Sequence, residues 1–219
     1  MVQNRAKESI VSVGPGGLEG ILRMSATPTG LVIFAHGAGS SRLSPRNNFV
    51  AEALDQCGMA TLLFDLLSEA ETTDRSNVFD IQMLSRRMIE AVEWAWDQPE
   101  LAALPMGLFG SSTGAAAALV AAVDAPSRFA AVVSRGGRPD LAGEALAKVR
   151  APVLLIIGGH DDVVIELNEA AAQKLTCPYR IEIVPGATHL FEEPGTLDEV
   201  VNLAADWFET CFAKTGKTR

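Results

Sequence analysis

The sequence predicts an α/β protein: a doubly wound, mostly parallel sheet with helices on both faces and a small N-terminal hairpin. Three observations carry that expectation. Apolar, β-rich runs alternate with helix-period segments along nearly the whole chain, the pattern of repeated strand–helix units. Most of these runs are continuously hydrophobic, as strands buried on both faces require. A turn-forming tetrapeptide, Gly14-Pro15-Gly16-Gly17, separates the first two short runs and marks a hairpin.

The hairpin strands are expected at 9–13 and 18–24. LVIFA (31–35) and ATLLF (60–64) follow, with a helix over 46–57 between them and another over 78–97. MGLFG (106–110) runs into an alanine-rich helix at 113–123. FAAVV (129–133), PVLLII (152–157) and YRIEIV (179–184) complete the strands, with helices over 163–175 and 197–213. Trp94 and Trp96 near the end of the long helix read as packing residues. The 219 residues suit one domain spanning 1–219. Between the loop after FAAVV and the next strand lie about a dozen residues, 140–151, which leaves room for one small helix and no lid domain. An open site is expected.

The bulk composition excludes several classes. A net charge of −9 argues against nucleic acid, whose readers need a basic face. The longest apolar run, AAAALVAAV, is too short to span a bilayer, so no membrane association is expected. The opening MVQNRAKESI lacks the apolar core of an export signal. Cys57, Cys177 and Cys211 are odd in number and far apart, which suits reduced thiols in the cytoplasm and gives no zinc-ligand spacing. The expected partner is a small-molecule substrate, with no cofactor and no metal.

Gly110-Ser111-Ser112-Thr113-Gly114 fits G-x-S-x-G, a serine on a sharp strand-to-helix turn. Such a turn needs flanking positions that are nearly free of side chain, and it aims the hydroxyl at the helix N-terminus, where developing negative charge is favoured. Ser111 cannot substitute, because Phe109 and Thr113 would flank it. Serine needs a base, and the base needs an orienting acid. On this architecture the order along the chain is serine, acid, histidine. His36 precedes the serine. His160 follows PVLLII with Asp161 and Asp162 behind it, so an acid from that loop leaves His189, in PGATHLF, as the base. Asp161 and Asp162 compete for the orienting role; the expected division has Asp161 facing the histidine while Asp162 caps the next helix. Asp140 is a reserve acid that looks more like a helix cap.

The oxyanion needs two donors. Thr113 offers the backbone N–H after the nucleophile, and the small-residue loop after LVIFA offers a second from Ala38. His36 is read as pinning that loop, and Asp65 as bracing its own. Arg42, Arg46, Arg135 and Arg138 fall in loops predicted to ring the site. Arg135, Arg138 and Arg42 are therefore candidate substrate-binding residues for an anionic group, with surface pairing as the alternative.

AHGAG, GSSTG, GGHDDVV and PGATHLF, in this order and on these strands, resemble the α/β-hydrolase fold over about residues 18–212. The small size and absent lid resemble its dienelactone hydrolase-like branch. The resemblance implies Ser112 as nucleophile, Asp161 as orienting acid, His189 as base, and backbone donation from Ala38 and Thr113. Dienelactone hydrolases themselves carry cysteine at the elbow, where this chain has Ser112, which favours a serine esterase-like enzyme. The expected activity is hydrolysis of an ester, lactone or thioester of a small substrate through an acyl-enzyme. Acyl or perhydrolase transfer on the same residues, and a non-catalytic binding protein of the same fold, are the alternatives.

Overall fold

The computed structural model describes residues 7–215. The export-signal reading falls largely on residues outside that range. Among the described residues, eight strands form a single sheet in the order β1-β2-β4-β3-β5-β6-β7-β8. β1 (Lys7–Val13) and β2 (Leu18–Met24) make the predicted hairpin, with Val13 opposite Leu18 and Gly17 N–H donating to Gly14 O. β2 runs antiparallel to β4 (Ala60–Phe64); every later pairing is parallel. β3 (Leu31–Ala35) and β4 are buried along their whole length, which accounts for their continuous hydrophobicity. β5 (Met106–Ser111), β6 (Phe129–Arg135) and β7 (Val153–Gly158) continue the sheet, and β8 (Tyr179–Val184) closes it as a mostly exposed edge.

The helices divide between two faces. α1 (Pro45–Gln56) and α6 (Thr196–Thr215) cover one, where Phe208 of α6 joins Phe34 and Phe109 of the sheet. α3 (Ile81–Trp96), α4 (Thr113–Asp124) and α5 (Asp162–Ala172) cover the other. α4 is buried almost all round, because its alanines let α3 and the sheet approach closely.

Three local departures from expectation bear on the site. The segment after β4, without apolar periodicity, forms a short helix α2 (Glu69–Thr72), closed by a Ser68–Glu71 capping box, and a 3-10 turn at Asn77–Phe79. The stretch after β6 forms 3-10 turns over Pro139–Lys148, broken at Gly143, in place of a regular helix. β6 runs to Arg135, two residues past the apolar run, because pairing of Ser111 with Arg135 carries the strand onward. No helix among the described residues is long and apolar enough to cross a membrane.

Candidate active site

The strand order creates the site. The chain leaves β3 towards β4 on one side and leaves β5 towards β6 on the other, so the loops after β3 and β5 diverge at a topological switch point. At the end of β5, Ser112 has φ 51° and ψ −123°, a conformation that costs a side-chain-bearing residue about 1–3 kcal/mol. The flanking glycines are required by space. A Cβ on Gly110 would lie 2.4 Å from Ala115 Cα, and one on Gly114 would lie 2.2 Å from Ala35 O. Ser111 is buried, and its Oγ accepts from Asn47 Nδ2 at 3.5 Å. Ser112 is the half-buried serine of the pair.

The loop after β3 lies against the elbow: a Cβ on Gly37 would come 2.9 Å from Ser112 Cβ. His36 pins this loop as expected. Leu66 N–H donates to its Nε2 at 3.0 Å, which leaves the proton on Nδ1 to reach Gly37 O at 3.0 Å. Burial holds the His36 pKa below its ordinary value, opposed by the Gly37 bond and the Asp65 charge. Ala38 and Thr113 line one common cavity.

His189 and Asp161 come from the loops after β8 and β7, and they meet: Nδ1 of the imidazole is 2.7 Å from Asp161 Oδ2. Asp161 occupies the N-cap position of α5, yet its carboxylate makes no capping bond, since it is turned to the histidine. The expectation that Asp162 caps this helix is corrected, because Asp162 is its first helical residue. The histidine loop is braced by its own residues. Thr188 N–H and Oγ1 donate to Glu193 at 3.0 and 2.6 Å, and these bonds hold the Glu193 carboxyl below its usual pKa. Phe191, at φ 56°, buries its ring in the core beneath. Gly136 abuts the same loop, since a Cβ there would stand 3.0 Å from His189 O. No Ser112–His189 hydrogen bond is formed.

The arginines do not form a ring of free cations. Arg42 lines the cavity, but its backbone N–H and guanidinium bind Asp65, and its second nitrogen reaches Glu19. Asp65, expected to brace its own loop, instead ties down the loop after β3 through Arg42. Arg46 pairs with Glu192 at 2.9 Å. Arg138 is held by Asp140 through two bonds of 2.8 Å, so that acid is neither a reserve for His189 nor a simple cap. Arg135, expected on a loop, is the last residue of β6 and only 7% exposed. Its Nη2 donates to Asn47 Oδ1 at 3.2 Å, while Nε and Nη1 are buried without partners. Burial, and then repulsion from Arg46, pull its pKa down to about 10. Local sequence could not place it, because the burial comes from α1 and from Phe191, both remote in the chain.

A cavity of about 710 Å³ opens from the loop after β3 and is walled by residues of the hairpin, of the segment between β4 and α3, and of α3 itself. Its wall includes Gly37, Ala38 and Thr113 but not Ser112, His189 or Asp161. Nothing in the sequence marked the part of this wall that 65–80 supplies, because that stretch is largely polar and carries no periodicity. Among the described residues, no group of three or more His, Cys, Asp or Glu could hold a metal ion.

Comparison with known proteins places the chain in a family. A family model described as an alpha/beta hydrolase domain matches residues 28–206. The crystal structure of a dienelactone hydrolase from Anabaena variabilis is 50% identical, with a TM-score of 0.90, and the match covers 95% of this chain and 99% of that one. Est1E from Butyrivibrio proteoclasticus is 16% identical with a TM-score of 0.76, over 95% of this chain and 99% of its own, a likeness of fold. A Mycobacterium tuberculosis protein (strain H37Rv), provisionally named a phosphoribosyl transferase, is 55% identical over 204 residues, 93% of this chain and 46% of that protein. This chain therefore spans about half the length of that relative.

Proposed function

Because the chain belongs to the α/β-hydrolase family, in its dienelactone hydrolase-like branch, we propose that it is a serine hydrolase of carboxylic esters, lactones or thioesters. In this reading Ser112 Oγ attacks the carbonyl carbon as His189 Nε2 takes its proton. Asp161 accepts the hydrogen bond from Nδ1–H, which keeps Nε2 free and stabilises the imidazolium. The oxyanion is met by the backbone N–H groups of Ala38 and Thr113 at the start of α4, where the helix dipole adds to the attraction. The imidazolium gives its proton to the leaving group, and an acyl-enzyme remains on Ser112. Water, deprotonated by His189, then attacks the ester and releases the acid.

The observation that carries this reading is the 2.7 Å contact between His189 and an aspartate that forgoes capping its own helix. The imidazole side chain is 39% exposed, which gives water access to the acyl-enzyme. The three cysteines are unpaired, and two are buried, which suits a reducing compartment such as the cytoplasm. The transferase activity named for the mycobacterial relative is assigned to no residue here, since the match covers 46% of that protein. A fluorophosphonate probe tests the proposal: it should label the protein stoichiometrically and fail to label Ser112→Ala. Equal labelling of both proteins, or of neither, would overturn it.

A further inference from the structure

Resting on that reading, we propose that the 710 Å³ cavity is the acyl pocket, and that the substrate carries a bulky, uncharged, apolar acyl group. The orientation follows from what the cavity touches. The carbonyl oxygen must lie between the N–H groups of Ala38 and Thr113, and both residues belong to its wall. The leaving-group oxygen must lie near His189, which must protonate it, and His189 is not in the wall. The substituent that enters the cavity is therefore the one that stays on the carbonyl carbon.

Size and chemistry of the wall select the acyl group. The volume falls in the range that holds ligands of drug size, far beyond an acetyl group. Leu66 and Leu67 are buried at the end of β4, Leu84 of α3 joins them, and Val78 and Phe79 stand nearer the mouth. Phe79 is 61% exposed, an aromatic face that a substrate would cover. No unpaired cation is buried in this wall to meet an anionic acyl tail. Arg42 is already shared by Asp65 and Glu19, and the other charged wall residues, Glu69 and Arg75, are both exposed to solvent. A carboxylate inside would be desolvated without a dedicated partner.

The test measures kcat/KM for p-nitrophenyl acetate, p-nitrophenyl octanoate and the mono-p-nitrophenyl ester of octanedioic acid, alongside fluorophosphonate labelling. Octanoate should exceed acetate by roughly 10²-fold, and the ω-carboxylate ester should fall at least about tenfold below octanoate. Val78→Trp fills the cavity and should cut the octanoate-to-acetate ratio about tenfold. Phe79→Ala changes an exposed residue and so keeps the test alive if the tryptophan variant fails to fold; it should lower the ratio several-fold. A flat or declining chain-length profile, a preferred ω-carboxylate ester, or an unchanged ratio in Phe79→Ala overturns the acyl pocket. If labelling is normal in that event, the proposed hydrolase stands without it. Absent labelling overturns both.

Discussion

Replacing Asp161 by asparagine separates the role proposed for this side chain from the structural one its position suggests. Asp161 Oδ2 lies 2.7 Å from His189 Nδ1, and an ionised carboxylate can only accept there. The imidazole proton is therefore kept on Nδ1, and Nε2 is left with a lone pair for the serine proton. An amide in the same place can donate to Nδ1, which drives the proton to Nε2 and removes the base. Loss of the correct tautomer in a serine hydrolase costs about 10⁴ in kcat, or about 5.4 kcal/mol of transition-state stabilisation at 1.36 kcal/mol per decade. The KM should change little, since Asp161 is not in the cavity wall. Stability should also hold. The carboxylate makes no capping bond to α5, so Asp161→Ala avoids the usual capping loss of about 1 kcal/mol, which would move Tm by roughly 2–4 °C in a chain of this size. Steady-state ester hydrolysis and thermal unfolding of the Asn and Ala variants, with the exposed Asp162→Asn as control, give the answer. More than a tenth of the wild-type kcat in Asp161→Asn would refute the tautomer argument. So would inactivity that follows a large fall in Tm, because that would make the residue a cap after all.

Three further outcomes are expected. Gly114→Ala would drive a Cβ to 2.2 Å from Ala35 O, so the loss of stability should reach at least about 1–3 kcal/mol by denaturant unfolding, and an unchanged midpoint would show that the elbow yields easily. Burial depresses the His36 pKa below 6.5, so the unfolded chain takes up this proton first as pH falls. The corresponding stability is complete above about pH 6.5 and declines below it, through the native pKa, by at most about 1.4 kcal/mol per pH unit; His36→Gln should flatten that part of the profile, and an identical slope in the variant would refute the assignment. Arg135 is buried against Asn47 and does not line the cavity, so Arg135→Met should change kcat/KM for neutral and carboxylate-bearing esters by the same factor. A loss of more than tenfold confined to the anionic ester would show that this guanidinium meets the substrate.

Much of the molecule was legible in the chain because it depends on near neighbours. Apolar runs such as LVIFA and ATLLF must be buried on both faces, so the strands and the parallel sheet followed from them. The elbow was legible for the same reason: the tight turn at Ser112 needs glycine two residues before and after, a demand met within five positions. The candidate triad could be ordered from strand ends together with the serine–acid–histidine order of this architecture, because the loops after parallel strands gather at one end of the sheet. Only the tertiary structure decided which charges are spent on each other. Arg42 meets Asp65 across 23 residues, and Arg135 meets Asn47 across 88, contacts that no local pattern encodes. The same limit hid the cavity, whose wall is assembled from the hairpin, the polar segment after β4 and the start of α3. Periodicity reports which face of an element avoids water, whereas a cavity and an ion pair depend on how separate elements are brought together in space.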